Sequence, residues 1–327
     1  MKCTNRILSI LIIVCLIVPV FGCGTANYTM EYSRQMPSSA YMVTNGSFEE
    51  DTLAAFSGDL CVDARDQITM PGVKLESSYA SGLFDLNNKE IMYAENIYEQ
   101  LPPASLTKVM TALVALKYGN LQDEIVVTEN CKITESGAQV YGFKPGDVIT
   151  LDQALNVLLI YSANDVGLII AEHIAGDVES FSELMNEEAR ALGATNTHFC
   201  NPHGLTQEDH YTTVYDLYLI FNEVIQYERF REIIQLNAYT SVYKDAQGNQ
   251  KTIEIRNTNQ YFLGNVEAPE SITILGGKTG TTNAAGNCLI LYAKDTGGNP
   301  YISVILRADK RDNLYADMNR LLEAAGK

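Results

Sequence analysis

Ser105 and Lys108 stand three residues apart, Ser162 and Asn164 follow after a long interval, and Lys278, Thr279 and Gly280 form a tripeptide near the end of the chain. Together these side chains supply the parts of a nucleophilic acyl transfer. A serine hydroxyl is a weak nucleophile at neutral pH unless a neighbour takes its proton, and a lysine can take it when burial or a second cation lowers its pKa. Lys108 is the candidate base for Ser105, because residues three apart on one helix share a face. Lys278 can be the second cation. Ser162 suits a proton relay and Asn164 a positioning amide, while Lys278 and Thr279 offer charge and a hydroxyl to a carboxylate. Taken singly, each motif also fits ordinary structure: a lysine snorkelling from a core helix, a helix cap, a glycine-rich strand end.

The surrounding sequence gives each motif the setting its chemistry needs. Pro102 and Pro103 suit the entry to a helix, and Leu106, Val109, Met110, Leu113, Val114 and Leu116 then run apolar on nearly every face until Gly119. Such a helix belongs in a core. Thr150 and Gln153 make a capping-box pattern in front of an apolar run ending at Tyr161, and a second apolar run, 166–174, ends at Gly176. Ser162-Ala163-Asn164-Asp165 is therefore a polar turn between buried helices. Residues 271–275 are β-rich, and Gly276-Gly277 leave no side chain to block an approaching backbone, so a peptide could add along this edge as an extra strand. Gly280 would keep that wall low. A strand pair is expected over 78–96 with Asn87-Asn88-Lys89 at its turn, then helices over 105–234, then strands with a hairpin at 295–299, then a last helix over 313–325. Strands at both ends with helices between make an α+β class.

The chain resembles the serine D-alanyl-D-alanine carboxypeptidases, the low-molecular-mass penicillin-binding proteins. The resemblance rests on Leu83-Phe84-Asp85, Pro103-Ala104-Ser105-Leu106-Thr107-Lys108, Ser162-Ala163-Asn164-Asp165, Asn201-Pro202-His203-Gly204-Leu205, Asn257-Thr258-Asn259 and Gly277-Lys278-Thr279-Gly280, in that order. It implies an antiparallel sheet built from both ends of the catalytic domain, packed against an inserted helical region, with the active site at their junction. It also implies roles. Ser105 would attack a peptide carbonyl with Lys108 as base, and Ser162 would pass a proton to the leaving amine. Asn164 would hold Lys108 and the substrate amide, Lys278 and Thr279 the terminal carboxylate, and the N–H groups of Ser105 and Thr281 would form the oxyanion hole. The substrates implied are peptidoglycan stem peptides, with β-lactams as covalent inhibitors and no cofactor or metal. Family members often carry an arginine just before the last helix, where Leu314 stands here; Arg307 or Arg311 would have to substitute. Many also carry a second β domain after the catalytic one, for which the residues following Gly280 leave no room.

The N-terminus reads as an address. Lys2 and Arg6 precede an apolar run over 7–21, and Val20-Phe21-Gly22-Cys23 resembles a lipobox. The expectation is a signal peptide over 1–22, lipid on Cys23, a polar tether over 23–56 and a catalytic domain over 57–327, anchored to the membrane outside the cytoplasm. Four cysteines remain beyond the leader and Cys23, namely Cys61, Cys131, Cys200 and Cys288, and no pairing follows from their spacing. A net charge of −17 argues against nucleic acid and anionic lipid as partners through bulk charge.

Three rival readings remain. His198, His203, Asp209 and His210 crowd together, but their spacing matches no zinc motif. A serine β-lactamase shares the three motifs and needs a glutamate to activate water; the one candidate, Glu183, falls on the polar side of an amphipathic stripe. An endopeptidase on the same fold would use the same residues.

Overall fold

The computed structural model describes residues 58–326. The expected signal peptide, the tether and Cys23 lie outside the described residues.

Strands β1 (Ala80–Asp85) and β2 (Glu90–Glu95) form the expected first hairpin, with Lys89 in the left-handed region at its turn. Helix α1 (Thr107–Tyr118) follows a single 3₁₀ turn over Ala104–Leu106. Short strands β3 (Glu124–Val126) and β4 (Val148–Thr150) lead to α2 (Leu151–Asn156), a π turn over Val157–Tyr161, α3 (Asn164–Ala175) and α4 (Val178–Ala191). Helices α5 (Val214–Val224) and α6 (Glu228–Ile234) precede the hairpin β5 (Ala238–Lys244) and β6 (Gln250–Arg256). After the short α7 (Gln260–Leu263) come β7 (Ile272–Thr282), β8 (Gly286–Asp295), β9 (Pro300–Ala308) and α8 (Arg311–Ala325).

The main sheet has the order β2-β1-β9-β8-β7, all pairs antiparallel, so the two ends of the domain meet between β1 and β9. Its central strands are apolar on both faces because both faces are covered. Leu289, Leu291, Tyr301 and Ile305 pack under α8 against Leu314, Met318, Leu321 and Leu322. Ile290, Ile302, Val304 and Leu306 face the larger core formed with the helices. Burial of each such aliphatic side chain is worth about 1.5–3 kcal/mol, so the two layers fix where β7 lies relative to α1.

A second sheet, β3-β4-β5-β6, was not anticipated as a unit. Strands β3 and β4 are short, β5 alternates between exposed and half-buried residues, and β6 buries only Ile253 and Ile255, a weak signal beside the long apolar helices. The role expected of Gly276-Gly277 also needs correction. A Cβ at Gly276 would stand 2.4 Å from Ile234, and one at Gly277 2.3 Å from the Ile290 carbonyl oxygen. These glycines let α6 and β8 approach β7; they do not open the wall to a ligand.

Candidate active site

The first serine sits in a strained turn. Ala104, just before Ser105, has φ +48°, outside the range that L-residues readily adopt, and the 3₁₀ turn that follows hands the chain to α1. One turn on, the Lys108 side chain points back over that turn, as helix geometry requires. Lys108 has no solvent exposure. Its Nζ lies 3.0 Å from Ser105 Oγ, 2.7 Å from Asn164 Oδ1 and 2.6 Å from the His203 carbonyl oxygen. Burial and then the Lys278 charge push its pKa well below that of a free lysine, against a partial opposing pull from Asp165. A neutral amine in this cage donates to Asn164 and His203 and turns its lone pair to Ser105, which is the geometry of a general base.

The second serine is strained as well. Ser162 has φ +66° at the end of the π turn, a wide coil that often marks functional positions. Helix α3 begins with Ala163 as its cap residue and no side-chain cap, so Asn164 is left free to reach Lys108. The Asp165 carboxylate accepts from the Tyr141 and Gly142 N–H groups, and the Gln139 carbonyl accepts from Asn164 N–H. The loop before Gly142 is thereby tied to the second motif.

The third motif comes from β7, an edge strand whose outer side faces the two serines. Lys278 is 1 % exposed, and its Nζ donates to Ser162 Oγ at 2.8 Å and to the Thr279 carbonyl at 2.9 Å. Burial lowers its pKa to about 7. Thr279 Oγ1 lies 2.6 Å from Thr258 Oγ1. At Gly280 a Cβ would press within 3.0 Å of Ser105 N, so a glycine here leaves that N–H accessible.

Ser105, Ser162, Asn164, Thr279, Gly280 and Thr281 all line one cleft of about 670 Å³, with Lys108 and Lys278 behind the two serines. Residues 135–139 form one rim; Thr206, Thr282 and Asn283 contribute to the lining as well. Of the two arginines that sequence left open, Arg311 lines the cleft beside Leu314 and Tyr315, whereas Arg307 stacks on the Tyr79 ring at 5.3 Å.

Sequence reading missed the Lys108 acceptor on His203, the Gln139 rim and the Thr258 partner. The Asn201-to-Leu205 and Asn257-to-Asn259 signatures were the available signals for two of these: Asn201 Oδ1 accepts from the His203 and Gly204 N–H groups and shapes the turn that aims the His203 carbonyl. The histidines do not converge on one point. His203 Nδ1 accepts from Leu205 N–H, His210 Nε2 faces Thr107 Oγ1, and His198 Nδ1 faces the Asp209 carbonyl. Among the described residues no group of three or more His, Cys, Asp or Glu could hold a metal. Glu183 is exposed on α4 and does not line the cleft. Cys61, Cys131, Cys200 and Cys288 are all free thiols.

The family described as D-alanyl-D-alanine carboxypeptidase matches residues 71–310. A Bacillus subtilis protein named D-alanyl-D-alanine carboxypeptidase DacF is 32% identical over 252 residues, which is 74% of this chain and 60% of that protein. The chain thus spans about three-fifths of that relative's length. A Pseudomonas aeruginosa protein named D-alanyl-D-alanine endopeptidase is 28% identical over 253 residues, 76% of this chain and 78% of its own. Among solved structures, a Streptomyces DD-transpeptidase superposes with a TM-score of 0.71 over 79% of this chain and 98% of its own, at 24% identity, and so speaks for the fold.

Proposed function

Because the chain belongs to the D-alanyl-D-alanine carboxypeptidase family, we propose that it removes the terminal D-alanine from peptidoglycan stem peptides through an acyl-enzyme on Ser105. The observation that carries this reading is the convergence of two serine–lysine pairs on one cleft walled by an open strand edge. Ser105 Oγ bonds to the scissile carbonyl carbon as its proton passes to Lys108. The resulting oxyanion is held by the Ser105 and Thr281 N–H groups. On collapse the C–N bond breaks, and the leaving amine takes a proton through Ser162, whose hydroxyl is polarised by Lys278. Water then splits the ester and restores Ser105.

Arg311 favours a carboxypeptidase over an endopeptidase. It lines the cleft and forms no ion pair among the described residues, which suits a substrate ending in a free carboxylate. Penicillins would acylate Ser105 by the same attack. Glu183 does not line the cleft, and the one acid that does, Glu135, is exposed on the rim at residues 135–139 and is not buried beside Ser105, so the adduct should persist.

The test is incubation with a pentapeptide ending in D-Ala-D-Ala, followed by product identification. The reading expects the tetrapeptide and free D-alanine; cleavage confined to internal cross-links would replace it with the endopeptidase alternative. The Val20-to-Cys23 segment supports the further reading that the enzyme acts outside the cytoplasm, held to the membrane by lipid on Cys23. Incorporation of labelled fatty acid that persists in Cys23→Ser would dismiss it.

A further inference from the structure

Beneath Ser105 runs a chain of hydrogen bonds that the acyl-transfer scheme does not use. Thr107 Oγ1 donates to the Ala104 carbonyl at 2.8 Å and lies 2.8 Å from His210 Nε2. On the far side of the ring, the Cys200 backbone N–H donates to His210 Nδ1 at 3.0 Å. A backbone N–H can only donate, so Nδ1 carries no proton and Nε2 must. The whole chain then has one direction: Cys200 N–H to His210 Nδ1, His210 Nε2–H to Thr107 Oγ1, Thr107 Oγ1–H to the Ala104 oxygen. Thr107 is fully buried and His210 nearly so. Burial above all lowers the His210 pKa to about 4 and keeps the ring in this neutral form at neutral pH.

The end of the chain matters because of what the Ala104 carbonyl belongs to. It is the other end of the peptide plane that carries the Ser105 N–H, and that plane follows directly on Ala104, whose φ of +48° is one that an alanine leaves readily. Turning the plane would swing the N–H away from the cleft. The same carbonyl is pressed from behind by the loop at Gly204, where a Cβ would lie 1.9 Å from it. Packing thus blocks one rotation, and the Thr107 backbone N–H and hydroxyl, both donating to the Ala104 oxygen, restrain the others, the hydroxyl being the donor that His210 orients.

We propose that His210 is a positioning residue: through Thr107 it locks the Ala104–Ser105 peptide so that the Ser105 N–H is aimed as an oxyanion donor. The inference rests on the acyl-transfer reading above. Its signature is loss of transition-state binding with ground-state binding intact, since the donor engages only the oxyanion.

The experiment compares wild type, His210→Leu, His210→Gln and Thr107→Val, each as folded protein with its active sites counted by penicillin titration. His210→Leu should slow acylation about ten- to a hundredfold, less than outright removal of an oxyanion donor, while the KM for a D-Ala-D-Ala peptide stays within about twofold. A boronic acid that forms a tetrahedral adduct on Ser105 should lose affinity by a similar factor. His210→Gln, which can still donate to Thr107, should recover most of the rate. Thr107→Val should match His210→Leu, and the double variant should be no worse than either, because both cut one chain. A Leu variant with unchanged acylation, a Gln variant no better than Leu, or additive losses would each overturn the proposal. If wild type neither acylates nor cleaves, the failure belongs to the acyl-transfer reading and removes the proposal with it.

Discussion

The helical side of the cleft supplies both serines, one held against a lysine of the helix that follows it and the other against a lysine of the strand wall, at 3.0 Å for Ser105 and Lys108 and 2.8 Å for Ser162 and Lys278. Both lysines are buried, and in both burial lowers the pKa. They differ in their other partners. Lys108 also faces Asn164 Oδ1 and the His203 carbonyl, acceptors that suit an ammonium, but full burial and the nearby Lys278 charge both favour the neutral amine and lower its pKa. Lys278 meets Ser162 and a single backbone carbonyl and lies on an edge strand beside a cleft that receives an anion in the proposed reaction. In the proposed reaction the two similar pairs would therefore divide the work: the one that sheds its proton more easily would act as base, and the other as a cation.

The largest effect that would break this division comes from the serines. Ser105→Ala should abolish labelling by a fluorescent penicillin, a loss on the order of 10⁴-fold or more in acylation, whereas Ser162→Ala should retain slow labelling, down about 10²- to 10⁴-fold. Full labelling of Ser105→Ala would mean that the pairs have been assigned the wrong way round. Next come the lysines. Arginine keeps the charge but cannot give up its proton, so Lys108→Arg should lose about 10³-fold in acylation rate and Lys278→Arg only about tenfold.

The pH profile sharpens the same contrast. Acylation by the free enzyme should require neutral Lys108 and charged Lys278, and so should decline as pH rises through about 7, where Lys278 loses its proton. In Lys278→Arg that alkaline limb should vanish from the accessible range. An alkaline limb that survives the substitution would assign it to another group. Stability carries a smaller trace. The folded Lys278 pKa of about 7 lies below the ordinary value of 10.5, so between these two pH values the unfolded chain binds more protons and this group's contribution rises with pH. Thermal unfolding of Lys278→Met should therefore gain less than wild type between pH 7 and pH 10.

The smallest expected effect lies at the rim. Arg311→Ala should lower kcat/KM for peptides with a free C-terminal carboxylate about three- to tenfold, because the side chain is exposed and screened, while Arg307→Ala should change nothing. Equal losses for an amidated peptide would show that Arg311 does not read the carboxylate.

How much of this was legible differs from element to element. The helix carrying Lys108, the capping box at Thr150 and Gln153, and the β8–β9 hairpin all announce themselves, because periodicity, caps and turn residues are local properties of a few consecutive side chains. The three-residue spacing likewise announces that Lys108 can reach Ser105, although the structure seats Ser105 in the 3₁₀ turn leading into the helix and not on the helix itself. What sequence could not supply was every contact between distant segments. The choice between Arg307 and Arg311 needed the seat of α8 on the sheet, and the purpose of Gly276-Gly277 needed Ile234 and Ile290 in place. The third acceptor on Lys108 is a backbone carbonyl, which carries no residue identity to be read. The strain at Ala104 and Ser162 is set by packing that overrides what those residues prefer on their own. Residue types and short spacings therefore determined which groups could do acyl transfer. Whether each lysine is dry, what it faces, and which way the Ser105 N–H points were decided only when chain segments a hundred residues apart closed around them, because desolvation and hydrogen-bond direction are properties of the assembled surroundings and not of any residue alone.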